Sequence, residues 1–103
     1  VASFHVADDS ACASEACWGA SLLPLSGSVP VIGGDVRTTR PGSGYLRDYL
    51  AWADAHGVGS LFWVWSDHAS DPTSLVSGSS HRPTAFGALV RAYLSGQPLA
   101  RGN

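Results

Sequence analysis

The sequence predicts an α/β fold with parallel strands, and three observations support this class. Short apolar runs that suit buried strands alternate with amphipathic helical segments. The run at 29–34 is continuously apolar and does not alternate, which is typical of a parallel strand covered on both faces. Segments rich in glycine, proline, serine and aspartate separate the runs, as connecting loops do.

Three strands and three helices are expected, in strict alternation. In chain order, we predict strands at 3–6, 29–34 and 58–65, helices at 15–23 and 44–56, and a last helix that Pro83 opens and Gly96 ends. Pro24 and Gly27 are expected to end the first helix. Ser43 can cap the second, and Gly57 fits its stop position. The polar segment 66–82 is predicted to be a long loop.

Such a chain is expected to be part of something larger. Three strand–helix units cannot close a barrel, and three helices cannot cover both faces of a small sheet. Val1 stands where a translation start would have methionine, which favours a processed product or a piece of a longer protein. We therefore expect residues 1–96 to be a partial barrel segment and 97–103 a loose tail.

Charge and hydropathy exclude two classes of partner. The net charge is −2 and no basic cluster is present, so nothing provides the footprint that nucleic-acid binding requires. No apolar stretch approaches the roughly 18 residues of a membrane span. We predict neither a nucleic-acid nor a membrane partner.

The two cysteines, Cys12 and Cys17, are spaced C-x4-C without a second pair, which is poor spacing for zinc. A local disulfide is favoured and would imply an oxidising compartment, so we expect a secreted protein. The alternative is two reduced thiols around a helix start. No metal or cofactor is predicted.

Polar and aromatic residues follow the ends of the three predicted strands. These ends bring together His5, Asp35 and Trp65, at the edge where parallel barrels place their sites. Aromatic rings stack on the apolar faces of sugars, and carboxylates do the acid–base and nucleophilic work of glycoside cleavage. The pattern therefore favours a carbohydrate site.

Structural alternatives stay open for each of these residues. Asp35 can be a loop or helix-capping carboxylate, His5 a structural histidine near a rim, and Trp65 a core residue. Packing is the expected role of the other tryptophans, which are Trp18, Trp52 and Trp63.

His5, Asp8 and Asp9 can bind a cation, although solvated loop carboxylates are the simpler interpretation. The run Ser66-Asp67-His68 is not expected to be a hydrolase triad, since residues adjacent in sequence rarely converge on one site.

Several longer pieces, taken in order, resemble a known family. The runs are CASEACWGASLLPLSGSVPVIGGD, GYLRDYLAWADAHGVGSLFWVW and RPTAFGALVRAYL. They resemble the C-terminal part of glycoside hydrolase family five, the retaining (β/α)8-barrel cellulases and β-glucanases, over residues 3–95. The resemblance implies the last two and a half units of such a barrel.

The functional residues of the family can be matched one at a time to positions of this sequence. His5 matches the histidine of a His-x-Tyr motif, but Ala7 stands in the tyrosine position. Asp35 lies where the family has its nucleophilic glutamate, and Trp65 matches the tryptophan that forms a sugar platform. The general acid/base belongs to a strand that this chain does not contain.

The resemblance implies two-step retaining hydrolysis of a β-linked glucan, with the remainder of the barrel as the necessary structural partner. Asp35 is one methylene shorter than glutamate, and a misplacement of about 1 Å can cost on the order of 10²-fold in rate. The chain alone is therefore not expected to hydrolyse glycans. A catalytically inactive glycan-binding relative is the alternative, and a structural fragment without a function of its own is a third.

Overall fold

The computed structural model describes residues 1–68 and 70–97. Its elements are β1 (Ala2–Ala7), α1 (Glu15–Ser26), β2 (Val31–Arg37), α2 (Tyr45–Ala55), β3 (Gly59–Phe62), β4 (Val76–Ser77), β5 (Arg82–Pro83) and α3 (Ala85–Leu94). Three parallel strands with three helices confirm the predicted α/β class. Most of the predicted tail, 98–103, lies outside the described residues.

The main sheet has the order β1-β2-β3, and both pairings are parallel. Strands that follow one another in the chain are therefore neighbours in space. The connections run through α1 and α2, as parallel pairing of neighbouring strands requires. All three carboxyl ends consequently lie at one edge of the sheet, which we call the rim.

One face of this sheet, here called the packed face, carries the hydrophobic core. Residues from the three helices and the three-stranded region form a single cluster. At its centre the rings of Trp18 and Tyr49 meet edge to face, with centroids 5.2 Å apart. Trp18 and Trp52 are buried, which confirms their predicted packing role.

The opposite face, here called the open face, is not covered in the same way. Leu61 is 57% exposed and Trp63 is 47% exposed, whereas Phe62 between them packs against Tyr93 of α3. Because side chains alternate along a strand, Leu61 and Trp63 share the face turned away from the helices. The prediction that Trp63 is a packing residue is therefore wrong for the described part of the chain.

β2 extends further along the chain than predicted, because it continues through Gly33 and Gly34 to Arg37. At Gly33 the packed face leaves no room for a side chain, since a Cβ there would lie 2.6 Å from the Tyr49 hydroxyl oxygen. The register shifts at this point, so that Phe4 pairs with Gly33 and His5 with Asp35. Asp35 lies inside a strand, and the alternative of a loop or capping carboxylate is wrong.

Two helix ends differ from expectation. α1 continues through Pro24 to Ser26, because a proline in the last turn removes only one late backbone hydrogen bond. In α2 the cap position is Gly44, with φ of 86°, and the Ser43 hydroxyl accepts a hydrogen bond from the Tyr45 N–H at 3.3 Å. Ser43 thus satisfies the first helical N–H from one position further out.

The predicted long loop contains structure of its own. β4 and β5 form a short antiparallel pair within it, which the sequence did not reveal because each strand has only two residues. Pro83 belongs to β5, and α3 begins two residues later, where the Thr84 hydroxyl accepts from the Gly87 N–H at 3.0 Å. β3 also ends earlier than predicted, at Phe62, and a cis peptide bond joins Trp63 to Val64.

Cys12 and Cys17 form a disulfide, which confirms the predicted pairing. The bridge links Cys12 in the β1–α1 connection to Cys17 in the first turn of α1. Trp18 follows directly, and its indole N–H donates to the Cys12 carbonyl oxygen at 3.1 Å. The bridge therefore anchors the first residue of the core cluster in α1. Among the described residues, no helix has the length and apolarity to cross a bilayer.

Candidate active site at the rim

β1 and β2 bring His5 and Asp35 together at the rim. The two residues are register partners on adjacent strands, and His5 Nδ1 lies 3.9 Å from Asp35 Oδ2. The His5 side chain is 76% exposed, whereas that of Asp35 is 15% exposed. A shielded carboxylate beside an accessible imidazole is thus in place, as the strand ends predicted.

Arg37 joins this pair, and sequence reasoning missed it. Arg37 follows Asp35 by two positions in β2, so both side chains lie on the open face. Its Nε atom is 3.9 Å from Asp35 Oδ1, an oxygen that is buried and accepts no hydrogen bond from the described residues. Extending the predicted strand past Gly34 would have revealed the i, i+2 relation, but the two glycines suggested a strand end.

Trp63 places an aromatic ring on the same face. Its backbone N–H donates to the Val36 carbonyl oxygen at 3.0 Å, which sets Trp63 alongside the segment that links Asp35 to Arg37. Val36 and its partner Phe62 point to the packed face, so Trp63, the next residue, points to the open face. The half-exposed indole therefore lies on the same face as Asp35 and Arg37.

The structure does not bring Trp65 to this group. Its side chain is 67% exposed and its ring centroid lies 6.0 Å from that of His81. Together with α3 residues such as Val90 and Leu94, it lines a separate groove beside the last helix. The predicted platform role of Trp65 stays a prediction, whereas Trp63 is the tryptophan whose N–H donates to the carbonyl oxygen of Val36, between Asp35 and Arg37.

Asp8 is a structural anchor between the loops that follow β1 and β2. Its side chain is only 2% exposed, and Oδ2 accepts from the Thr38 hydroxyl at 2.6 Å and from the Thr39 and Arg40 N–H groups at 3.1 Å each. Burial alone would raise the Asp8 pKa, but these hydrogen bonds and the Arg40 charge together lower it.

This anchoring bears on the cation alternative. The Asp8 carboxylate is already occupied by hydrogen-bond donors, whereas Asp9 is exposed. Within residues 1–68 and 70–97, no cluster of three or more histidine, cysteine, aspartate or glutamate side chains is placed to hold a metal ion. The Asp8 carboxylate instead holds the backbone of Thr39 and Arg40 in place, directly after the end of β2.

The loop after β3 approaches the rim. Asp71 accepts from the Thr73 N–H at 2.9 Å and from its hydroxyl at 2.7 Å. These bonds lower the Asp71 pKa, with smaller contributions from the charges of His68 and Arg37. In the run 66–68, the Ser66 hydroxyl accepts from the backbone N–H of His68 at 3.1 Å, which is a turn contact and provides no nucleophile–base pair.

Comparisons with known proteins add no relative: no family model, curated protein or solved structure matches the chain. A carboxylate that has an imidazole beside one oxygen and a guanidinium beside the other, together with an indole that follows the next strand, can contact a sugar through its ring face and its hydroxyls.

Proposed function

We propose that this chain is the C-terminal part of a secreted glycoside hydrolase barrel of the retaining type, acting on a β-linked glucan. The observation that carries the proposal is the juxtaposition of His5 and Asp35 in register, with Trp63 on the same open face. The resemblance to glycoside hydrolase family five gives His5 and Asp35 their roles, whereas Trp63 enters only through its place on the open face. The disulfide is compatible with a secreted protein.

The reaction runs in two displacements. An Asp35 oxygen bonds to the anomeric carbon while the bond from that carbon to the leaving oxygen breaks, and a general acid outside this chain protonates the departing oxygen. Water then attacks the glycosyl–aspartate ester and releases the sugar, with that same group acting as the base. Asp35 keeps the nucleophile's charge, but its shorter stem withdraws the attacking oxygen from the family position.

The test uses a substrate that needs no acid catalyst. A 2-deoxy-2-fluoro-β-cellobioside with an activated leaving group transfers its sugar to a competent nucleophile without protonation, and the adduct is found by mass spectrometry of the peptide that contains Asp35. We expect slow labelling of the natural chain and none of Asp35→Asn. Asp35→Glu restores the longer stem and should label faster, by up to about 10²-fold.

Failure of both the natural chain and Asp35→Glu to accept the label would overturn the assignment of Asp35 as nucleophile. Circular dichroism of each variant checks that the fold is retained. Labelling at a residue other than Asp35 would equally contradict the proposed mechanism.

A non-catalytic glycan-binding protein is the second candidate, and the rim itself favours it. Ala7 is the register partner of Arg37 and is 4% exposed, so the position that would hold a catalytic tyrosine has no hydroxyl to offer Asp35. On this account the double variant Ala7→Tyr with Asp35→Glu gains no labelling. The affinity of this double variant for cello-oligosaccharides is measured by titration calorimetry. It should still fall when Trp63 is also replaced by alanine.

A further inference from the structure

We propose that the glycan bound at this rim carries a carboxylate, a uronic acid unit, and that Arg37 is the residue that recognises it. This inference rests on the proposed function and changes its substrate from a neutral β-linked glucan to a β-linked glycan that contains uronic acid units. A neutral glucan would leave the guanidinium of Arg37 beside the sugar without a matching acid.

The first support is the state of the Arg37 side chain. It is 37% exposed and lies on the open face, and its closest acidic contact is the 3.9 Å approach of Nε to Asp35 Oδ1. That separation exceeds hydrogen-bond length, and within the described part of the chain no acceptor takes a hydrogen bond from this guanidinium. Its planar set of donors, which matches a carboxylate in two parallel bonds, is unused.

The second support is the position of the surrounding charges. Asp71 contributes an acidic charge near Arg37, but its Oδ1 atom is already held by two donors of Thr73. Asp35 meets His5 through one oxygen and Arg37 through the other, each at 3.9 Å. Neither acid forms the close two-bond pair that would saturate Arg37, so a ligand carboxylate can take that place.

The third support is the position of Trp63, directly after β3 and alongside the β2 segment that carries Arg37. Adjacent strands lie about 4.8 Å apart, roughly the width of a pyranose ring. Trp63 is bonded through its N–H to the carbonyl of Val36, the residue directly before Arg37. A sugar that contacts the Trp63 indole therefore brings its ring substituents within reach of the Arg37 guanidinium.

Binding to matched ligands tests the inference. The ligands are a β-1,4-linked glucose oligosaccharide and its C6-oxidised glucuronate counterpart of the same length, titrated calorimetrically into the intact chain at low and moderate salt. We expect the acidic ligand to bind roughly tenfold more tightly, with the preference shrinking as salt rises. Arg37→Met should abolish the preference, and Arg37→Lys should retain only part of it, since lysine keeps the charge without the planar fork.

Arg82→Met is the matched control, because Arg82 is exposed on β5, outside the three-stranded sheet, and it should leave both affinities unchanged. Equal binding of the two ligands, or a preference that survives in Arg37→Met, would overturn the inference and leave the glycan site itself standing. Absence of binding by either ligand would contradict the inference and the glycan-binding candidate together. Acidic-ligand binding without any fluoro-sugar labelling would support the inference and remove only the catalytic claim.

Discussion

The two faces of the three-stranded sheet have opposite character. On the packed face, Trp18 is 2% exposed and Tyr49 is fully buried at 0%, and these rings belong to one cluster that unites all three helices. On the open face, Leu61 and Trp63 are 57% and 47% exposed, and that face also carries His5, Asp35 and Arg37. The apolar core and the charged candidate site residues therefore lie on opposite faces, because side chains alternate along the same strands.

This separation explains how one strand can serve both purposes. In β2, Val36 is fully buried against the helices, while Asp35 and Arg37 on either side of it turn to the open face. A substitution can therefore affect the core or the charged residues depending on which face its position has after the register shift at Gly33. Parallel sheets are normally covered on both faces, which fits the proposal that further segments of a barrel complete this one.

The largest expected effect separates the two faces directly. Trp18→Ala removes the central ring of the packed face and should lower the free energy of unfolding by about 3–5 kcal/mol. Trp63→Ala removes an equally large side chain from the open face and should cost less than about 1 kcal/mol. Denaturant titrations of both variants measure the difference. Similar losses for the two would show that the open face is a second core.

The next effect concerns the packing of α3. A Cβ on Gly87 would lie 2.8 Å from the Leu75 carbonyl carbon, so Gly87→Ala should destabilise the chain by about 1–3 kcal/mol. Gly19→Ala in α1 is the matched control. There the nearest atom is Leu23 Cδ1 at 3.8 Å, and the helix should gain up to about 1 kcal/mol. A neutral result at Gly87 would show that α3 does not pack so closely.

Loss of the disulfide should have an intermediate effect. Cys12 and Cys17 are five positions apart, and closing so short a loop is worth about 2 kcal/mol by loop entropy. Replacing both cysteines by serine should lower the denaturation midpoint and loosen Trp18, visible as a red shift of its fluorescence. An unchanged midpoint would mean that the connection before α1 does not need the bridge.

The smallest of these effects depends on pH. The pKa of Asp8 is lowered in the folded state, so its ionised form adds stability above the unfolded value of 3.8. That contribution is lost as the pH falls through the lower, folded pKa. The unfolding free energy should therefore drop less steeply with acid in Asp8→Asn than in the natural chain. Parallel pH profiles of the two would contradict the anchoring role.

Much of the fold was predictable because it depends on patterns within single segments. The spacing of Leu46, Tyr49, Leu50 and Ala53 identified α2, and the apolar runs identified the strands. The glycines misled the prediction, because Gly33 and Gly34 suggested a strand end. Only the tertiary contact with Tyr49 explains why a residue without a side chain is needed inside β2.

The site was predictable in part for the same reason. His5 and Asp35 could be paired because parallel strands end at one edge, a rule that needs no coordinates. The choice between Trp63 and Trp65 required the true end of β3 and the path of the chain beyond it, neither of which leaves a local signal. Arg37 was missed because its partnership with Asp35 exists only if β2 continues to Arg37.

The most direct test of the account is the response of the tryptophan indole N–H signals to glycan. Nitrogen-15 spectra of the intact chain are recorded while the glucose oligosaccharide and, separately, its glucuronate counterpart are added, with signals assigned by single Trp→Phe variants. We predict that the Trp63 signal moves and that those of the buried Trp18 and Trp52 stay in place. Four stationary signals, or movement of Trp65 without Trp63, would contradict the assignment of the open face as the glycan site.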